Sequence, residues 1–326
     1  MKAKELEKNL NNIKSVYKIV GQDRYLCFYV LDLLKKYLCP NFPDLNIVDL
    51  SGENLNLDKL IDDLQVCPFA DNYRLIIVKD FKIKKNAGKT VIEQIEKIDD
   101  YAKQKNFTTV LVFFCADNDG VNLKNAEIID CSHLSEFELI KFIDEKLKQV
   151  NAKMEDSAKT SLIKFTSCDL TRIVTELDKL IAFTGGETIT QTNVDEMVAK
   201  DGEYQIFELA ETIAKNDKTR AIELLNLMLD KEKTLFSIIT PLYNTYKRAL
   251  FIAINKELTD KELANYLQIK EYAVKMLRTQ TRVFTPRKLK SIVDSLAELD
   301  KNIKQGKIKE DVGLISVVIN ILMLRK

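Results

Sequence analysis

Tryptophan is absent from this 326-residue chain, histidine occurs once, and there are only nine glycines and five prolines. With His133 as the sole imidazole and no suitable nucleophile near it, Ser-His-Asp or Cys-His catalysis has little to build on, and a structural role is expected for it. The six cysteines, Cys27, Cys39, Cys67, Cys115, Cys131 and Cys168, form no C-x-x-C pair. That argues against a zinc site or a disulfide framework and for buried free thiols in a reducing compartment. No uncharged apolar run is long enough to cross a bilayer, and Met1-Lys2-Ala3-Lys4-Glu5 lacks the apolar core of a secretory signal. A cytoplasmic protein without a membrane partner is expected. Excess charge is lacking too. A formal net charge of +1 gives no bulk attraction to nucleic acid, so DNA contact would have to rest on a local patch.

What is present is an alternation of strand and helix signals, followed by helices alone. Val16–Val20 is a β-branched run closed by Gly21, with Asp23 placed to cap a helix over Arg24–Leu38. Strands are predicted over 45–50, 73–78, 108–115 and 127–131, and helices over 57–65 and 91–103. Such alternation implies a parallel sheet covered on both faces, so residues 1–132 are read as one α/β domain. After Cys131 the period changes. Ser135 and Glu138 make a capping box, Asp169 caps a second helix that Gly185-Gly186 stops, and a short helix spans 192–199. Residues 133–203 therefore read as a small helical domain ending in a linker, Lys200-Asp201-Gly202-Glu203. Residues 204–326 read as a third, also helical. Its last segment, 314–324, is apolar on nearly every side and is expected to be buried or shared with neighbouring subunits.

The sheet pattern suggests a nucleotide-binding domain, but the phosphate chemistry is missing. Gly88-Lys89-Thr90 ends like a P-loop, yet Ile83 stands where the motif needs its first glycine. With Lys82, Lys84 and Lys85 it reads as a solvated basic loop. Where a P-loop belongs, after Val20, the chain reads Gly21-Gln22-Asp23-Arg24-Tyr25: one glycine, no lysine, and a carboxylate that would repel phosphate. No Asp-Glu pair closes the 108–115 strand to hold magnesium. No catalytic residue, cofactor or metal site is expected. The many carboxylates, such as Glu176 beside Lys179, read as solvated helix surface.

One stretch departs from ordinary patterning. Gln65-Val66-Cys67-Pro68-Phe69-Ala70-Asp71 closes an amphipathic helix on a proline and a large aromatic instead of a polar cap. From pattern alone it is either an apolar plug on a rigid elbow or a helix end packed beneath the sheet.

Taken in order, these segments resemble the delta subunit of bacterial DNA polymerase III. The resemblance is carried by Val16 to Asp23, by Pro68-Phe69 before Arg74-Leu75-Ile76-Ile77-Val78, and by Cys168-Asp169-Leu170 through Leu180. It continues in Ile189-Thr190 with Val194, Phe207-Glu208-Leu209 through Leu225, and Phe284-Thr285 through Gly306. It implies an AAA+-like N-terminal domain without a working ATP site, a small helical lid and a C-terminal helical collar. The collar would pack with the ATPase subunits (gamma/tau) and delta prime in a pentameric ring, with Asp300, Lys304 and Gly306 matching a structural collar pattern. The elbow would insert into an apolar pocket of the sliding clamp, the beta subunit, and hold one ring interface open for primer-template DNA. Phe69 matches the aromatic anchor, Pro68 the position beside it where leucine is common, and Val66 the apolar residue two earlier. Two other readings stay open. One is an active AAA+ ATPase or helicase-like motor. The other is a DNA-binding adaptor using Lys247, Arg248, Arg278, Arg282, Arg287 and Lys288.

Overall fold

The computed structural model describes residues 1–83, 88–115, 122–231 and 236–324, which form two compact units, Met1–His133 and Leu134–Lys326. Of the basic loop expected before Gly88, Lys84 and Lys85 lie outside the described residues.

In the first unit, a turn of helix, α1 (Leu6–Asn9), precedes β1 (Val16–Val20) and α2 (Arg24–Leu38). Then come α3 (Pro43–Asn46), β2 (Ile47–Ser51), α4 (Leu57–Asp63), β3 (Arg74–Lys79), α5 (Lys89–Tyr101), β4 (Thr109–Cys115) and β5 (Glu127–Asp130). All strand pairs are parallel, in the order β2-β3-β4-β1-β5. Parallel neighbours need long crossovers, and α2, α4 and α5 supply them. Side chains alternate across the sheet. Val16, Ile76, Val78, Leu111 and Phe113 meet Leu57, Leu60 and Leu64 with Ile95, Ile98 and Tyr101 in one core. The alternate set, including Tyr17, Ile19, Leu75, Ile77 and Val112, is also fully buried, and α2 packs on β3. This is the expected parallel sheet covered on both faces.

The second unit is helical. It contains α6 (Glu136–Gln149), α7 (Asp156–Phe165), α8 (Leu170–Thr184), α9 (Gln191–Met197), α10 (Gly202–Lys215) and α11 (Lys218–Lys231). After these come α12 (Phe236–Ile254), α13 (Asp260–Leu267), α14 (Glu271–Val283), α15 (Pro286–Lys304) and α16 (Glu310–Met323). The expected caps are formed. The Ser135–Glu138 box opens α6, Asp169 accepts from the Arg172 amide at α8, and Gly185 ends α8 in the left-handed conformation. From α10 onward the helices share one core, with Phe207, Leu225, Leu242, Tyr246, Leu277, Phe284, Leu296 and Val318 at its centre.

Two expectations are corrected. Lys200–Glu203 is not a free linker. Gly202 and Glu203 form the first turn of α10, Asp201 caps that turn and pairs with Arg172, and the Asp201 amide donates to the Phe165 carbonyl. The expectation for α16, buried or shared between subunits, is not overturned: Leu314, Val318 and Ile321 face the core, while Val312, Ile319 and Met323 are exposed. Finally, Cys67 is exposed, whereas Cys27, Cys39, Cys131 and Cys168 are buried thiols as expected. Among the described residues no helix is long and apolar enough to cross a membrane, and no cluster of His, Cys, Asp or Glu could hold a metal.

Candidate functional site: an apolar elbow held from below

The elbow begins where α4 stops. Asn56 caps the start of this helix, accepting from the Lys59 amide at 3.1 Å. The helix ends at Asp63, two residues short of the predicted end, and the Arg74 guanidinium donates to the Asp63 carbonyl at 2.8 Å. The Gln65 and Val66 amides then turn back on Asp62 and Asp63 in a tightened final turn. Pro68 has no N–H to continue the helix and biases Cys67 toward extended backbone. The buried Thr109 hydroxyl, at the start of β4, donates to the Val66 carbonyl at 3.1 Å. The base of the elbow is thereby fixed to the sheet.

Its tip is fixed by Asn46, which is 0% exposed. The Phe69 N–H donates to Asn46 Oδ1 at 2.7 Å, and Asn46 Nδ2 donates to the Phe69 carbonyl at 2.8 Å. Ala70 follows in the left-handed region, φ +51°, a conformation costing about 1–2 kcal/mol in a residue with a Cβ. Asp71 then accepts from the Asn41 and Phe42 amides at 3.2 and 3.0 Å and from the Asn41 and Asn46 carboxamides at 2.8 and 2.9 Å. Desolvation would raise this carboxyl, but those four hydrogen bonds hold it below its ordinary value.

The side chains carried by this frame point to solvent. Phe69 is 57% exposed and Val66 45%, with Pro68 half-buried between them. Phe69 therefore does not pack beneath the sheet. Its ring meets Phe42 edge-on, centroids 5.4 Å apart and planes at 84°, and Phe42 is itself 43% exposed. Sequence patterning missed Asn46, Asp71 and Phe42. The available signal was an asparagine, a poor strand former, inside the stretch read as a strand over 45–50.

In an open parallel sheet, ligands bind beyond the carboxyl ends of the strands where the order reverses, here next to β1. In this chain the β1–α2 turn is drawn onto the end of β5. Asp23 N–H donates to the Cys131 carbonyl at 3.0 Å, and the Cys131 N–H donates to Val20 at 2.6 Å. Gly21, at φ +138°, lies so close that a Cβ would sit 2.1 Å from the Cys131 carbonyl carbon. The first turn of α2 is occupied by its own anion. Asp23 Oδ1 accepts from the Leu26 amide at 3.1 Å, and Oδ2 lies 3.4 Å from His133 Nδ1. A phosphate at that helix N-terminus would meet a buried carboxylate.

The basic residues singled out in the sequence lie on α12, α14 and α15, helices of which α12 packs against both others. Arg278 pairs with Asp260 at 2.5 Å and donates to the Leu258 carbonyl, and Lys247 lies over the Tyr243 ring.

A five-stranded parallel sheet domain that carries an exposed apolar elbow, in a chain whose remainder is helical, defines the class. The model of the DNA polymerase III delta subunit matches residues 17–153, and that of its C-terminal domain matches residues 203–321. The chain belongs to the DNA polymerase III delta subunit family. It is 24% identical over 309 residues to DNA polymerase III subunit delta of Bacillus subtilis strain 168, covering 90% of this chain and 89% of that one. Among solved structures it resembles the Bacillus subtilis DNA clamp loader delta protein YqeN. The TM-score is 0.79 at 23% identity, over 98% of this chain and 99% of the other.

Proposed function

We propose that this chain is the clamp-binding subunit of a clamp loader, and that it opens one interface of the sliding clamp during DNA replication without hydrolysing ATP itself. The observation that carries this reading is the elbow. Exposed aromatic and aliphatic side chains are ordinarily unfavourable, yet here partly buried hydrogen bonds and a left-handed alanine are arranged to hold Phe69 and Val66 outside the core. Opening a ring needs no bond chemistry. A subunit that binds the distorted clamp better than the closed one shifts that equilibrium by the difference in affinity.

The helices α6–α9 are proposed as the lid and α10–α16 as the collar that joins the gamma/tau ATPase subunits and delta prime, the expected boundary between residues 203 and 204 moving to the start of α10 at Gly202. The exposed apolar side of α16, with Val312, Ile319 and Met323, fits such a role. Asp23 at the start of α2 supports a subunit that leaves ATP hydrolysis to its partners. The complex would act in the cytoplasm at primer-template DNA. Two experiments test the reading. Purified chain should be retained on a column of its cognate clamp, and a nucleotide titration should show no magnesium-dependent ATP affinity. Failure of retention, or measurable ATP binding, contradicts it.

A further inference from the structure

The elbow is not held by its own residues. Six hydrogen bonds tie the segment 66–71 to the turn at 41–46 just before β2, all of them through the Asn46 and Asp71 side chains. The Asn46 carboxamide satisfies both polar groups of Phe69, acting as a strand partner one residue long. A loop without this contact would have to order Phe69 when a partner binds, whereas here the ordering is completed on folding. The same turn carries Phe42, whose ring touches that of Phe69 and stays partly exposed, so a surface that covers the free face of Phe69 also reaches Phe42.

We infer that the 41–46 turn is the second half of the clamp-binding element: Asn46 is the positioning residue for Phe69, and Phe42 is a further contact with the clamp's apolar pocket. This rests on the reading of the elbow as the clamp-binding surface. Asn46 touches no partner itself and acts through the Phe69 peptide, while Asp71 locks the turn to the elbow.

The test is surface plasmon resonance of the full chain on immobilised clamp from the same organism, using wild type, Phe42→Ala, Asn46→Ala, Phe69→Ala and the Asn46→Ala/Phe69→Ala double variant. Each variant is first checked for wild-type far-UV circular dichroism. Phe42→Ala is expected to weaken binding about fivefold, as for loss of one partly buried contact. Asn46→Ala is expected to weaken binding about tenfold in the wild-type background and less than about twofold once Phe69 is gone, because coupled residues are not additive. If Asn46→Ala does not fold, Asp71→Asn serves in its place. Equal losses from Asn46→Ala in both backgrounds would mark a general structural effect and overturn the inference. So would unchanged binding of Phe42→Ala and Asn46→Ala beside a weakened Phe69→Ala, which leaves the clamp-binding reading intact. Self-association of the free chain that Phe42→Ala abolishes would assign the turn to a second copy instead. A wild-type chain that does not bind the clamp removes both the reading and the inference.

Discussion

The carboxamide of Asn46 forms both hydrogen bonds of the Phe69 peptide while the Phe69 ring stands in solvent. A buried side chain and an exposed one are coupled through a backbone group 23 residues away. Asn46→Ala leaves the Phe69 N–H and carbonyl and the Asp71 carboxylate without this partner, and is expected to destabilise the chain by about 2–3 kcal/mol. Urea unfolding of the first-unit transition measures this. A loss below about 0.5 kcal/mol would mean that water replaces the carboxamide.

The Asp71 contribution has a definite pH dependence. Its carboxyl is held below the ordinary value of 3.8, so the folded state favours the charged form. The stabilisation is fully present above pH 3.8 and is lost as pH falls through the lower folded value. The stability difference between wild type and Asp71→Asn should therefore be constant from pH 6 to 8 (about neutral, well above the carboxylate range) and shrink in more acid solution. A difference that grows on acidification contradicts the assignment.

Gly21→Ala is expected to be among the most damaging single changes in the sheet domain. The position combines φ +138° with a Cβ that would lie 2.1 Å from the Cys131 carbonyl carbon and 2.3 Å from its oxygen. Backbone cannot retreat as a side-chain tip can, so a loss of about 3 kcal/mol or more is predicted, read as a lower unfolding midpoint.

Tyr246 offers the opposite case. It is fully buried, its ring meets Phe284, and its hydroxyl has no hydrogen-bond partner among the described residues. Burial pushes the phenol well above its usual value. Tyr246→Phe keeps the ring and removes the stranded hydroxyl, so the helical unit should gain about 1 kcal/mol. A loss of that size in chemical denaturation would show that the hydroxyl is satisfied in solution.

Much of this was legible in the chain because the signals are local. The β-branched runs at Val16–Val20 and Thr109–Cys115 marked the central strands, and Asp23, Ser135 and Asp169 marked helix starts where each indeed caps. Pro68-Phe69 marked a helix end without a polar cap, but pattern alone left open whether Phe69 is exposed or packed beneath the sheet, and the structure shows it exposed. What escaped reading is non-local. Asn46 sits next to β2 and looks like a flaw in a strand until the fold brings Phe69 to it. The end of α4 carries a hydrogen bond from Arg74, which is eleven residues on. Lys200–Glu203 has the composition of a loop, and only the Arg172 and Phe165 contacts show Asp201 to be a fixed cap that joins the non-helical residues 198–200 to α10.

The central claim is that Phe69 anchors the sliding clamp, and the dissociation constants of wild type and Phe69→Ala for the cognate clamp test it most directly. Removing an aromatic anchor from an apolar pocket costs ~2 kcal/mol, so the variant should bind about 30-fold more weakly with unchanged thermal stability. Equal affinities for the two proteins would contradict the account.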